Sequence, residues 1–450
     1  MERLSAQDLA SLAGDDAGWP WDMGAIGFLD RAGLVDGDGR FQIEAVRRVI
    51  ESRLQLVPHS RQLLYRPRLG LGWPLWTDAA SFDIADHVRV FLLAAPADQM
   101  QVLAAWQQLR RRPLDRSRPR WEAWFLPGLA DGRIGVFLRM HHAMADGVAG
   151  VAAFSALFDL TAEAPAPAAS PWTPAPVPSA RELLGDNARR RARELGRAVS
   201  GLTHPGGMLR QARRTWPAWR EAAGQRAPAT SLNRGRIGLD RRLALVHGDL
   251  GQARTIARAH GGTVNDVVLA VVAGGLRDLL LARGEPVSDL VLRASVPVSL
   301  HQERSGRPLG NQVGWMAVPL PLGEPCHARR LELIAADTAE RKKNARPEIT
   351  SGIFRFILAQ RAFNLLLPHQ RYLNTFITNV PGPPAPLYLA GARLLEVFPV
   401  LAITGNMALG VAVMSYAGQL NLTAVADRDR CPDVEVFAEG VRQALDELAQ

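Results

Sequence analysis

Six prolines fall within nineteen residues at "AEAPAPAASPWTPAPVPSA", 162–180. Each lacks a backbone N–H and has its φ locked, so this stretch can be neither a regular helix nor a central strand. It divides the 450-residue chain into two parts, each long enough to bury its own core. On both sides, runs with strand character alternate with runs of helical character. Before the break, "VRVFLLA" and "RIGVFLRM" read as strands and "ADQMQVLAAWQQLRRR" as a helix. After it, "LGQARTIARAHG" and "TVNDVVLAVVAGGLRDLLLARG" read as helices, and "LVLRASVPVSL" and "NQVGWMAVPLPL" as strands. The last 60 residues offer three strands and a final helix over 432–448. The expectation is an α+β fold in two lobes, 1–161 and 229–450, joined by a linker and basic helical crossover over 162–228.

Charge is unevenly spread along this chain. The net charge is +9, and residues 181–226 alone hold eleven arginines against four acids, or +7. Only Lys342 and Lys343 are lysines, so the arginine excess reads first as compositional bias. No nucleic-acid-binding motif accompanies the basic stretch, which excludes nucleic acid as the expected partner. An anionic membrane surface fits better, and Trp216 and Trp219 in the same stretch suit an interface. The first residues, "MERLSAQDLA", carry no apolar stretch, so a secretory signal is not expected, and no apolar run comes near the ~18 residues that span a bilayer. With only Cys326 and Cys431, a disulfide framework is excluded. A cytoplasmic protein is expected, with a peripheral seat on the inner membrane face or on lipid droplets as the option that the basic stretch leaves open.

The chemistry concentrates in "RMHHAMADGVAG", 139–150. A strand precedes this stretch and an apolar helix, "GVAGVAAFSALFDL", follows it. Adjacent residues of a strand point to opposite faces, so His141 and His142 cannot look into one cavity, which argues against a metal site. Asp146 stands where a helix N-cap belongs, and Gly147 permits a tight strand-to-helix turn. A capped turn with incidental histidines is one reading. The other is base catalysis: a histidine at a strand end, largely neutral near pH 7, can take a proton from an alcohol. No GxSxG elbow or cysteine signature is present, so direct transfer between two bound substrates is favoured over a covalent intermediate.

"HHAMADG" resembles the HHxxxDG motif of the CoA-dependent acyltransferase superfamily, which includes chloramphenicol acetyltransferase-like enzymes and peptide-synthetase condensation domains. "PLW" (74–76), "PLDRSRPRWE" (113–122), "TVNDVVLA" (263–270), "LGNQVGWMAVPLP" (309–321), "TNVPGP" (378–383) and "SYAGQLNLTAVADRDRCPD" (415–433) narrow the resemblance to bacterial wax ester synthase/diacylglycerol acyltransferases. It implies two chloramphenicol-acetyltransferase-like lobes, each a mixed sheet with flanking helices, and a tunnel between them. It further implies an O-acyltransferase that moves a fatty acyl group from acyl-CoA, a co-substrate, to diacylglycerol or a fatty alcohol, without metal or other cofactor. The resemblance makes His142 the base, with His141 and Asp146 supporting the loop. Asn265 falls beside the site, as an oxyanion donor or merely as a helix-start cap. Gly147 and Asn379 become tunnel candidates, with Gly382 as tunnel architecture. Asp115, Arg116 and Arg118 read as an ion-paired loop, and Asp266 as structural. One departure stands out: Trp21 and Asp22 occupy the positions where the family has Met and His. If both line the tunnel, they favour a polar acceptor. A hydroxylated specialised metabolite as acceptor, or an inactive lipid-binding protein, are the alternatives.

Overall fold

In this computed structural model, residues 1–16, 18–68, 70–94, 96–145, 147–164, 171–202, 226–299, 313–344 and 367–450 are described. The chain begins with α1 (Ala6–Asp16) and β1 (Asp22–Leu29), then α2 (Ile43–Arg53) and the hairpin β2 (Gln62–Tyr65) and β3 (Leu75–Asp78). β4 (Val88–Val90), α3 (Gln99–Arg110), β5 (Trp121–Leu126), β6 (Ile134–His141) and α4 (Gly147–Ser155) complete the first half. After α5 (Ala180–Leu202) come β7 (Arg241–Val246), α6 (Leu250–Ala259), α7 (Val264–Ala282), β8 (Val291–Ser299), β9 (Val313–Pro321) and α8 (His327–Asn344). β10 (Thr375–Pro381), β11 (Tyr388–Leu389), β12 (Ala392–Val400), β13 (Leu409–Tyr416), β14 (Gln419–Asp427) and α9 (Val434–Leu448) end the chain. The apolar stretch after Gly147 stops being helical at Ser155, five residues sooner than the sequence suggests.

Two six-stranded mixed sheets result, ordered β11-β12-β1-β6-β5-β4 and β7-β14-β13-β10-β8-β9. Every residue of β6 is buried, because its sheet is covered on both faces. On one face α3 presents Val102, Ala105, Trp106 and Leu109, a helical stripe that packs with Phe137, Ile26 and Phe28. The other face packs Leu138 and Met140 with α2 residues Val46 and Ile50 and α4 residues Ala153 and Phe154.

The chain order does not divide as the sequence suggests. β11 and β12 lie beyond residue 229, yet β12 pairs antiparallel with β1 and so belongs to the first sheet. β11 is only two residues long, so among the described residues most of the outer edge of β12 has no strand partner. Side chains of the second sheet cover that edge: the Gln419 and Asn421 amides donate to the carbonyls of Leu395 and Val397, both at 3.0 Å, and Tyr416 donates to Leu394 at 2.7 Å. A buried C=O without a partner is costly, so these bonds bind one lobe to the backbone of the other.

Candidate active site

Alternation along β6 puts Phe137, Arg139 and His141 on the α3 face. Arg139 confirms this, donating to the carbonyl of Arg110 at the end of α3, 3.2 Å away. His141 is buried. The backbone N–H of Ala143 donates to its Nδ1 at 3.1 Å. An N–H can only donate, so Nδ1 is unprotonated and the ring proton of the neutral imidazole sits on Nε2. That Nε2 lies 3.0 Å from Oδ2 of Asp15 and donates to it.

Asp15, in the last turn of α1, has further partners. Nη1 of Arg120 donates to Oδ2 at 3.0 Å, and the backbone N–H of Trp21 donates to Oδ1 at 3.1 Å. Burial pushes the Asp15 carboxyl up, but the hydrogen bond and charge of His141, the Trp21 N–H and Arg120 outweigh it. The carboxyl ends below its ordinary value.

His142 is the first residue past β6 and is half-buried. Its backbone N–H donates to the carbonyl of Trp21 at 2.8 Å. The Trp21 ring meets the imidazole edge-on, with centroids 5.8 Å apart and an interplanar angle of 82°. Trp21 therefore sits directly beside His142. Asp22 is not beside it. As the next residue of β1 it turns to the α3 face, 5% exposed, with Oδ2 3.5 Å from Nη1 of Arg139. Burial raises its pKa, against the pull of Arg139 and Arg110. A carboxylate enclosed beneath α3 cannot meet an acceptor that lies against His142, so the polar-acceptor inference loses its basis.

The second lobe comes in through β10. Gly147 opens α4, and a Cβ added there would rest 3.5 Å from Cγ2 of Val380. Asn379, the neighbour of Val380, is half-buried and points to the other face of β10. Just past that strand, a Cβ on Gly382 would come 2.3 Å from the carbonyl oxygen of Ser415, so no larger residue fits the turn. Asn265 is half-buried at the N-terminal end of α7, which packs on β10. It is not the helix cap. Asp266 accepts from the backbone N–H and hydroxyl of Thr263, both at 2.7 Å, and from the Thr338 hydroxyl at 2.6 Å. The Asn265 amide is left free of that duty. Asp146 lies outside the described residues.

Asp115, Arg116 and Arg118 do form an ion-paired loop: Arg118 meets Asp86 at 2.6 Å and Asp115 at 3.6 Å, while Arg116 meets Asp16 at 3.2 Å. Asp15, which accepts from His141, and its partner Arg120 escaped sequence reasoning. Asp15 is 126 residues from His141, and nothing in "AGDDAG" marks one acid over another. Burial pushes the Cys431 thiol up to about 12, so it is not a nucleophile at neutral pH.

Two family models match the chain: the wax ester synthase/diacylglycerol acyltransferase catalytic domain over residues 4–268, and the C-terminal domain of the same family over 309–449. A putative diacylglycerol O-acyltransferase of Mycobacterium tuberculosis is 33% identical over 471 residues, covering 100% of this chain and 90% of the relative. A probable diacylglycerol O-acyltransferase of the same organism is 30% identical over 456 residues, covering 100% and 96%. Among solved structures, the wax ester synthase/diacylglycerol acyltransferase of Marinobacter aquaeolei has a TM-score of 0.70 at 23% identity, covering 99% of this chain and 98% of that one. The starter condensation domain of rhizomide synthetase, in complex with C8-CoA and Leu-SNAC, has a TM-score of 0.62 at 14% identity, covering 100% and 93%. Matched along nearly its whole length, the chain belongs to the wax ester synthase/diacylglycerol acyltransferase family and is an O-acyltransferase.

Proposed function

We propose that this enzyme transfers a fatty acyl group from acyl-CoA to a hydroxyl of diacylglycerol or a fatty alcohol, with His142 as general base. The observation that carries the base assignment is the fixing of His142 between two backbone anchors, the Trp21 carbonyl before it and the His141 ring on the N–H after it. His142 is half-buried, and so partly screened from water. A neutral His142 takes the hydroxyl proton as the oxygen attacks the thioester carbon. The carbon–sulfur bond then breaks, and the imidazolium returns the proton to the departing thiolate. No acyl-enzyme forms in this scheme. Asn265 on α7 steadies the carbonyl oxygen as it gains charge, and Gly147 and Asn379 shape the passage between α4 and β10.

Diacylglycerol as acceptor draws its support from the names of the M. tuberculosis relatives. Among the described residues, no helix is long and apolar enough to cross a membrane. A peripheral seat on an anionic lipid surface is supported by α5. Its first half is held to the body by Leu183, by Asp186 on Arg3 and by Asn187 on the Gly70 carbonyl. Residues 191–196 of the same helix are all exposed, including Arg191, Arg193 and Leu195. Trp216 and Trp219 lie outside the described residues.

The test is thiol release and product mass from purified protein given palmitoyl-CoA with diolein, hexadecanol or neither. Acceptor-dependent thiol release matched by triacylglycerol or wax ester supports the reading. Release that stays the same without any acceptor, and yields only free acid, refutes acyl transfer to an alcohol.

A further inference from the structure

Both anchors of His142 lead back to one side chain. The carbonyl that accepts the His142 N–H belongs to Trp21, whose own N–H donates to Oδ1 of Asp15 at 3.1 Å. The acceptor of the Ala143 N–H is Nδ1 of His141, whose Nε2 donates to Oδ2 of the same Asp15 at 3.0 Å. The two carboxylate oxygens thus hold the chain before and after His142, from a helix far away in sequence. Nη1 of Arg120 also donates to Oδ2 and supplies the countercharge. The environment is nearly closed, with 12% of the Asp15 side chain and 1% of that of His141 exposed.

We infer that Asp15 is the positioning residue of the general base: its carboxylate sets the His141 tautomer and clamps the peptides flanking His142, so that the imidazole keeps a single orientation. The inference rests on the base assignment above, and it goes beyond it in naming what holds the base still. The chemistry needs an ionised carboxylate at this point. All three groups around it, the Trp21 N–H, the His141 Nε2–H and the Arg120 guanidinium, are donors, and only a carboxylate offers acceptors in both directions. An asparagine offers one oxygen, and its NH2 must face a donor. Either Trp21 or His141 then loses its tie. If His141 shifts its proton to Nδ1, that nitrogen can no longer accept from Ala143, and the segment after His142 loosens. A displacement of about 1 Å at a reacting group can cost about 10²-fold in rate.

The experiment uses the full-length protein with 15N-labelled histidine, the His141 signals being assigned by their loss in His141→Gln. Wild type should show the tautomer with Nε2 protonated and Nδ1 bare. Asp15→Asn should mix or reverse that pattern and lower kcat by about 10- to 100-fold, while the KM for acyl-CoA stays within about twofold. Asp15→Glu keeps the charge at a longer reach and should return an intermediate kcat with the wild-type tautomer. It serves as the test by itself if Asp15→Asn does not fold. Wild-type tautomer and wild-type kcat in folded Asp15→Asn would overturn the inference. So would a kcat loss that Asp15→Glu fails to relieve at all. Near-normal kcat in His142→Ala is a separate outcome. It would remove the base assignment, and with it the kinetic part of the inference, whereas the ring spectrum reports on Asp15 independently.

Discussion

Gly14 and Trp21 share one volume: a Cβ added to Gly14 would lie 2.0 Å from Nε1 of the Trp21 indole. Hydrogen as a side chain is what lets that ring pack against α1 while standing nearly perpendicular to the His142 imidazole. Gly14→Ala gains up to ~1 kcal/mol of helix propensity but must displace the ring, and overpacking of this kind costs roughly 1–3 kcal/mol. The variant should melt at or below the wild-type temperature and turn over more slowly per folded molecule. Wild-type turnover would mean that the Trp21 ring has no bearing on His142.

His142→Ala should lower kcat by at least ~10² with the fold intact, the ordinary worth of a positioned base. His141→Ala should act differently. It strips a partner from Asp15 and an acceptor from the Ala143 N–H, and each buried group left unpaired costs about 1–3 kcal/mol. Its loss should therefore show in thermal stability as well as in rate. Chelators should change neither protein, because both ring nitrogens of His141 are already engaged within the fold. Equal melting temperatures for His141→Ala and wild type would contradict this division of roles.

Asp22→Asn should leave acceptor choice alone. The side chain faces Arg139 beneath α3 and not His142, so the kcat/KM ratio for diolein over hexadecanol should match wild type. The effect should appear in stability, because among the described residues Arg139 keeps only Glu122, at 2.5 Å, as an anionic partner. A change in the acceptor ratio would place Asp22 in contact with substrate after all.

The depressed Asp15 carboxyl also gives a pH dependence. A carboxyl lowered below its ordinary 3.8 binds protons less readily in the folded protein than in the unfolded chain. Its contribution is complete above that ordinary value and disappears as the pH falls through the lowered one. Asp15→Asn should thus be less stable than wild type at neutral pH, and the gap in melting temperature should close below about pH 3.8. A gap that is constant across the range would show that the Asp15 charge contributes nothing.

The exposed half of α5 predicts binding to anionic vesicles. Reversing the charge of Arg189, Arg190, Arg191 and Arg193 should weaken co-sedimentation at low salt. Wild-type binding should itself fade near 0.1 M salt, where the screening length is about 10 Å. Equal sedimentation of the two proteins would assign α5 to solvent.

Local order in this protein is written in local sequence. The apolar spacing of α3, the alternation in β6 and the Thr263–Asp266 cap each depend on neighbours a few residues apart, so periodicity and side-chain chemistry suffice to read them. The same is true of the strand-to-turn setting of His141 and His142, which forces the two rings apart. Which strand pairs with which is another matter. β12 leaves its own half of the chain to complete the first sheet, because the edge of β1 was open to it and side chains of β14 could cover what β11 left bare. Asp15 and Asp22 reverse what their surroundings in sequence suggest. Asp22 is one residue from Trp21, but strand alternation sends it to the far face. Asp15 stands a helix away, yet the fold sets it under both anchors of the base. Such contacts are decided by how sheets and helices stack, and no pattern within a few residues encodes that.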